Sequence, residues 1–447
     1  MGRYFGTDGI RGVANTELTP ELAFKLARAS AYRLKEDHNK LIVIGKDTRI
    51  SGDMLESALV AGYNSMGYDV KLLGVIPTPA VAHLTLKYKA EAGIVISASH
   101  NSFEYNGIKY FGKDGFKLPD DVEDDIEDLI DNYKSIGERP FGDKMGRVFF
   151  EEKALQDYKS HLKDLVSTDF KGYKIALDCG NGATYKIAPE VFEELGAEVI
   201  AINTDPNGIN INDNCGSTHP SKLQETVVSN NCNIGFAYDG DGDRLITVDE
   251  KGNLLDGDHF LAILSSYLKD LGKLENNGVV GTVMTNMGLD EFCKSNDIQL
   301  LKASVGDRYV LEMMTKEGYS LGGEQSGHII FKDFATTGDG VLSSLMLMEV
   351  LVKTKKEMSE LNNIMTTYPQ VLVNAKVRNE NKKLYELDDQ VQNEIRRVEG
   401  IFNGQGRVLI RPSGTEPLIR VMIEGKDLKV LEEEAKKLAS LIESKFS

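Results

Sequence analysis

The sequence predicts three related α/β domains with mixed sheets, followed by a smaller C-terminal α+β domain. Three observations carry this. The chain has 447 residues, too many for one hydrophobic core and enough for three or four domains of about 100–150 residues each. A unit of short apolar strand, glycine turn and helix opens three times, at spacings of roughly one domain. Beyond the Tyr368-Pro369 pair the pattern changes to separated apolar runs closed by one amphipathic helix.

The first opening is LIVI at 41–44, followed by the turn GKDTRISG at 45–52 and a helical stretch from Met54. The second is YKIAL at 173–177, running into DCGNGA and a helix around 189–195. The third is VVGTVM at 279–284, running into TNMG and another helix. Short β-rich runs alternating with helices argue for largely buried mixed or parallel sheets. In the last segment, apolar runs at 371–373, 408–410 and 418–423 precede a helix with Asp427 as N-cap and Leu431, Ala435, Leu438 and Leu441 on one face. The expected division is 1–150, 151–252, 253–366 and 367–447. The acidic stretch PDDVEDDIEDLID at 119–131 has Val122, Ile126, Leu129 and Ile130 at helical spacing, so a helix with a solvated acidic face is expected.

A net charge of −17 disfavours general nucleic-acid binding, which needs a basic surface. It also means that an anionic substrate requires a site built against the overall field. The four cysteines, Cys179, Cys215, Cys232 and Cys293, form no CxxC pair and no zinc spacing, as expected for reduced thiols in the cytoplasm. No apolar run approaches the ~20 residues of a membrane span. The opening MGRYFGTDG has no signal-peptide core, and its Met-Gly start lacks Ser or Thr at position 6.

Five motifs carry chemistry. DGDGDR alternates Asp239, Asp241 and Asp243 with glycine, so three carboxylates can converge on one hard cation such as Mg²⁺ or Ca²⁺. A calcium loop running from Asp239 to Glu250 is opposed by Arg244, which stands where that loop needs glycine, and by strand-like flanks. A metal-free polar turn leaves the cost of three neighbouring like charges unexplained. SASHNSFEYNGIKYF at 97–111 puts Ser99 at the end of a buried strand, a common place for a nucleophile, with His100 beside it and Lys109 beyond an Asn-Gly turn. Plain turn hydrogen bonds and a structural histidine account for the same residues. RPSGTEPLIR at 411–420 offers guanidinium groups, hydroxyls and a flexible backbone to a tetrahedral dianion, where an ordinary Pro-Gly turn explains neither Arg411 and Arg420 nor Ser413 and Thr415. GGEQSGH at 322–328 presents Glu324 and Ser326 for sugar hydroxyls. FGTDGIRG at 5–12 and GKDTRISG place Arg11 and Arg49 on glycine-flanked turns.

Together and in this order, the motifs resemble the α-D-phosphohexomutase family over essentially the whole chain. FGTDGIRG, NCGSTHP (214–220), VGDRYV (305–310) and GGEQSGHIIF (322–331) resemble those members that act on glucosamine phosphates, and Gln325 is the most telling residue. The resemblance implies four domains around a central cleft. It implies a phosphoserine at Ser99, with Asp239, Asp241 and Asp243 as Mg²⁺ ligands and the Ser99 phosphate completing the site. Glu324 and Ser326 match the sugar contacts. Arg411, Ser413, Gly414, Thr415 and Arg420 match the phosphate loop. Arg11, His100, Lys109 and Arg244 match positions around the transferring phosphoryl group. One departure is Ser102, where the family usually has a proline that stiffens the loop.

The implied reaction interconverts glucosamine 6-phosphate and glucosamine 1-phosphate through a sugar bisphosphate, which also serves as activator. It supplies amino-sugar nucleotide and cell-wall precursor synthesis. Lys109 is the first candidate for the base and His100 the second, on the expectation that burial and Arg11 lower the lysine's pKa. The rivals are glucose or mannose phosphate as substrate, a metal-dependent sugar phosphatase, and a calcium-binding module. The expected partner is a small hexosamine phosphate, with no nucleic acid and no membrane. The sequence leaves the oligomer open, with a homodimer as the working expectation.

Overall fold

A computed structural model describes residues 3–6, 8–34, 39–133, 136–137, 139–413 and 417–447. They form two compact units, Met1–Thr285 with Asn296–Ile364 and Asn286–Ser295 with Met365–Ser447.

The first unit holds three sheets. The seven-stranded sheet has Leu41–Lys46 parallel to both Asp69–Val75 and Ala92–Ile96. Val148–Phe150 adds a parallel edge to it. Tyr105–Gly112 runs antiparallel to Ala92–Ile96 and passes the sheet on to Gly9–Val13. Ile42, Ile44, Ile94 and Ile96 are fully buried, as expected for strands covered on both faces. Helices Pro20–Arg33 and Gly52–Asn64 pack on this sheet, the first starting at a Thr19 cap that accepts from Leu22 N–H. The five-stranded sheet pairs Ile234–Tyr238 in parallel with Lys174–Asp178, which pairs with Glu198–Ile202. The four-stranded sheet pairs Gly278–Thr282 in parallel with Gln299–Ala303 and Leu321–Gly323.

All three sheets turn from parallel to antiparallel at the same kind of place. Ala92–Ile96 returns as Tyr105–Gly112, Ile234–Tyr238 as Leu245–Asp249, and Leu321–Gly323 as Ile329–Phe331. The three connections are the Ser99 loop, the Asp239–Arg244 loop and the Glu324–His328 loop. The sheets are thus mixed, and each of the three predicted functional loops of this unit occupies the equivalent turn of its own sheet.

The second unit is a three-stranded antiparallel sheet, Gln370–Lys376, Leu418–Gly425 and Gly406–Pro412, with helices Asp389–Phe402 and Leu428–Phe446. Asp427 caps the last helix through Lys429 and Val430 N–H, and Leu431, Ala435 and Leu438 are buried. Helix Met287–Ser295, which the sequence assigns to the third domain, groups with this unit: Asn286 exchanges hydrogen bonds with the Tyr368 backbone, and Met287 N–H donates to Glu424.

The acidic stretch forms helix Asp120–Asp131, but its carboxylates are not simply solvated. Glu127 is 2 % exposed and accepts the backbone N–H groups of Arg3, Tyr4 and Phe5, each at 2.7 Å. Arg3 also pairs with Asp128 and Asp131. Arg308 reaches across from the third sheet's helix to Asp120, Glu123 and the Leu118 carbonyl. The aspartates of the helix are exposed, as expected for a solvated face, whereas Glu123 and Glu127 are buried and serve as internal anchors for Arg308 and for the N–H groups of residues 3–5. Burial opposes ionisation of Glu127, yet the three N–H groups and Arg3 outweigh it and hold the carboxyl below the ordinary range.

Glu127→Ala leaves buried donors unpaired and lowers stability by about 2 kcal/mol in denaturant melts at neutral pH. Because the folded pKa is lowered, this contribution is complete above the usual glutamate value of 4.5 and disappears as pH falls through the lowered one. A stability difference that stays constant from neutral to strongly acid pH refutes the assignment.

Candidate active site

The Ser99 loop, the Asp239–Arg244 loop and the Glu324–His328 loop meet at one place in the first unit. Ser99 is 1 % exposed and has φ +53°, a left-handed backbone that costs a non-glycine residue about 1–2 kcal/mol. The other non-glycine residues with positive φ among the described residues are Asn, Asp or Lys. Strain of this kind persists only where surrounding bonds impose it. Ser99 N–H donates to Ser97 Oγ at 2.9 Å, and Ser97 donates to Asp47 at 2.6 Å. Ser99 Oγ then donates to Asp239 Oδ2 at 2.6 Å and lies 3.3 Å from His100 Nδ1. Gly240 is what permits this approach, since a Cβ there would sit 2.6 Å from the Ser99 carbonyl oxygen.

Asp239, Asp241 and Asp243 are all buried, and one carboxylate oxygen from each lies within 4.8 Å of the others. At that separation each ionised pair repels by about 3 kcal/mol at an effective dielectric of about 20. Burial, then Asp243 and Asp241, push the Asp239 carboxyl well above its ordinary value. Asp241 Oδ2 accepts from Thr78 Oγ1 and from Lys109 Nζ, both at 2.7 Å. Asp241 Oδ1 is buried with no hydrogen-bond donor among the described residues, and Asp243 Oδ1 has only the longer approaches of His328 Nδ1 at 3.7 Å and Arg244 Nε at 3.9 Å. Orphaned, converging carboxylate oxygens with no nitrogen or sulfur ligand fit a hard divalent cation. The flanks are the strands Ile234–Tyr238 and Leu245–Asp249, and Glu250 accepts from Ser359 N–H, so no helix–loop–helix calcium site forms here.

Four basic groups surround the triad. Lys109 is 1 % exposed and sits 2.7 Å from Asp241, 2.8 Å from Asp8 and 3.6 Å from Asp243. Burial lowers its pKa, but Asp241, Asp8 and Asp243 outweigh burial and drive it up. The expectation of a lysine with a lowered pKa is corrected: Arg11 is one repelling neighbour against three attracting carboxylates. Arg11 pairs with Asp8, and Lys117 bridges Asp8 to Asp307. Arg244 Nη1 lies 3.2 Å from His100 Nδ1. Burial, Arg244 and Arg11 push His100 down to about 4, so its ring is neutral at pH 7.

The residues of the Glu324–His328 loop are placed as follows. Glu324 Oε1 accepts Gly306 N–H at 2.9 Å, and Ser326 is exposed. Gly327, with φ +90°, lies so close to Leu245 that a Cβ would sit 2.0 Å from its carbonyl oxygen, and Leu245 N–H donates to Gly327 O. In the second unit, Arg411 and Arg420 are direct cross-strand partners at the hairpin end, and Ser413 is buried. Like charges in register are unfavourable unless an anion lies between or beside them. Gly414 and Thr415 lie outside the described residues.

Sequence reasoning missed Asp8, Lys117, Asp307 and His328. His328 Nε2 lies 2.9 Å from Gly338 N and 3.4 Å from Asp307, and Nδ1 lies 3.7 Å from Asp243; burial lowers its pKa, but these carboxylates outweigh burial and raise it to about 9. Asp8, Asp307 and His328 stand in FGTDGIRG, VGDRYV and GGEQSGH as polar residues inside glycine-containing stretches, whereas Lys117 lies in none of the motifs.

A hydroxyl on a strained turn, set against a carboxylate triad among buried cations, is equipment for handling phosphoryl groups. Four successive segments match the phosphoglucomutase/phosphomannomutase family: residues 2–136 its alpha/beta/alpha domain I, 156–252 domain II, 256–368 domain III and 372–441 its C-terminal domain. The chain belongs to this family, the α-D-phosphohexomutases. It is 57 % identical to a phosphoglucosamine mutase of Clostridioides difficile (strain 630), over 100 % of both chains. Among solved structures it resembles a phosphoglucomutase/phosphomannomutase family protein from Burkholderia thailandensis, with TM-score 0.81 and 22 % identity over 100 % and 99 % of the two chains. An Aspergillus fumigatus N-acetylphosphoglucosamine mutase, solved with GlcNAc-6P and magnesium, aligns with TM-score 0.72 and 17 % identity over 100 % and 96 %. Among the described residues no helix is long and apolar enough to cross a membrane.

Lys109→Met keeps the side-chain volume and removes the charge that balances Asp8 and Asp241. It should destabilise the metal-free protein by about 3–5 kcal/mol, read as a lower melting temperature, and a divalent cation should recover part of the loss. A melting temperature equal to wild type in chelator contradicts this charge balance.

Proposed function

We propose that the chain interconverts glucosamine 6-phosphate and glucosamine 1-phosphate, an isomerisation run by phosphoryl transfer through Ser99. Full-length similarity to a phosphoglucosamine mutase supports the substrate. The observation that carries the mechanism is the Ser99 hydroxyl, held 2.6 Å from Asp239 on a left-handed turn.

In this reading phospho-Ser99 gives its phosphoryl group to the free hydroxyl of the sugar phosphate. The bond to Ser99 Oγ breaks as the bond to the sugar oxygen forms. His100, neutral and 3.3 Å from Ser99 Oγ, takes the sugar hydroxyl proton and passes it to the departing Ser99 Oγ, and the relay runs in reverse when the phosphoryl group returns, while Lys109 stays charged against the phosphoryl oxygens. The bisphosphate reorients and returns its other phosphoryl group to Ser99. Arg11 and Arg244 offset the charge that accumulates on the moving group. Asp239, Asp241 and Asp243, with a Ser99 phosphate oxygen, would hold Mg²⁺, which supplies further electrostatic stabilisation of that group when bound. Glu324 and Ser326 contact the sugar hydroxyls. Arg411, Ser413, Gly414, Thr415 and Arg420 hold the phosphate that is not being transferred. The same reading takes four domains divided after residues 150, 252 and 366, a sugar bisphosphate as activator, a homodimer as the assembly and the cytoplasm as the location.

Ser99→Ala should abolish both turnover and labelling of the protein by a sugar bisphosphate; normal mutase activity in that variant would falsify the mechanism. A chelator should stop wild-type turnover and magnesium restore it, with Asp241→Asn requiring far more magnesium for a much lower rate. Assayed side by side, glucosamine phosphate should outpace glucose and mannose phosphates in kcat/KM. Phosphate release without isomer formation would instead indicate a phosphatase.

A further inference from the structure

Arg49 does not face the Ser99 hydroxyl. Its side chain and that of Asp47 are fully buried, and Asp47 accepts from both Arg49 N–H and Arg49 Nε. The two terminal nitrogens then collect the carbonyls of the serine loop. Nη2 donates to Ser99 O at 2.9 Å and Asn101 O at 2.8 Å, and Nη1 donates to Tyr105 O at 3.0 Å and to Ser102 O. From the second sheet's domain, Asn212 Nδ2 donates to the same Ser99 and Asn101 carbonyls, each at 2.9 Å. The flanking residues of Arg49 bind that domain as well: Thr48 Oγ1 donates to Asn181 O, and Ile50 N–H to Gly208 O at 2.9 Å. Residues 47–50 therefore grip the serine loop on one side and the domain of the metal-binding loop on the other.

We propose that Arg49 and Asn212 are positioning residues, which impose the left-handed turn at Ser99 and set the distance from its Oγ to the carboxylate triad. The proposal rests on the reading of Ser99 as the phosphoryl carrier. A guanidinium suits the task because its rigid fork serves several carbonyls at fixed angles, which a lysine ammonium does not. The clamp also accounts for a loop that holds its shape with Ser102 in place of a proline, since the Ser102 carbonyl is itself one of the gathered acceptors. Phosphoryl transfer is sensitive to misplacement, with about 1 Å capable of costing a hundredfold in rate.

The test uses two variants of the full chain. Arg49→Lys keeps the charge beside Asp47, and Asn212→Gly keeps the φ of +57° accessible while removing the amide. For each, kcat should fall by about ten- to a hundredfold with KM within twofold of wild type. The rate of Ser99 labelling by glucose 1,6-bisphosphate should fall by the same factor. The double variant should lose less than the product of the two, because both side chains hold the same carbonyls. Unchanged kcat in both variants, or a loss confined to KM, overturns the proposal while leaving Ser99 as carrier. So does a lowered melting temperature with unaltered kcat per folded molecule. A wild-type protein that takes no label at Ser99 overturns the carrier reading and the proposal together.

Discussion

Burying three carboxylates at one point is the constraint on which the site depends. Asp239, Asp241 and Asp243 repel one another, and the structure answers with cations it must also bury. Lys109 needs Asp8 as a second anion, Asp8 draws in Arg11 and Lys117, and Lys117 in turn engages Asp307. The chain of compensation runs from the first sheet to the helix that starts at Asp307 in the third. Removing Lys109 leaves Asp241 without its ion-pair partner, the costly case for buried ions. Domain packing and active-site electrostatics are therefore one problem in this protein.

The polarity of the site follows from how that problem is solved. Lys109 and Thr78 both take Asp241 Oδ2, leaving Asp241 Oδ1 without a donor among the described residues. A site with all its oxygens satisfied would be more stable and would have nothing left for a cation. The left-handed turn at Ser99 has the same character: local stability is given up so that a hydroxyl stands where the carboxylates converge.

Much of this was legible in the sequence because glycine-rich spacing is a local signal. DGDGDR, SASHN and RPSGTEPLIR each place their chemical groups within a few residues, and three strand–turn–helix openings convey the domain repeat. What was not legible depends on partners far apart in the chain. Lys109 lies 132 positions from Asp241, so its raised pKa could not be read from its neighbours. Arg49 looked like another anion-binding arginine on a glycine-flanked turn, because nothing local shows that its fork is spent on backbone carbonyls some 50 residues away. The acidic run at 119–131 read as a solvated face because the N–H groups it receives belong to the first residues of the chain and Arg308 to the third sheet's helix.

The three functional loops of the first unit share one topological address, the turn where a parallel sheet acquires its antiparallel strand. Each loop brings a different set of groups to that address: Ser99 in the first, Asp239, Asp241 and Asp243 in the second, Glu324 and His328 in the third. The short segment between Gly323 and Ile329 is tied to the hairpin it faces, because Gly327 sits tight on Leu245 and His328 lies 3.7 Å from Asp243. Ser99 meets Asp239 and Leu245 meets Gly327, so a substitution in any one of the three turns bears on the other two hairpins.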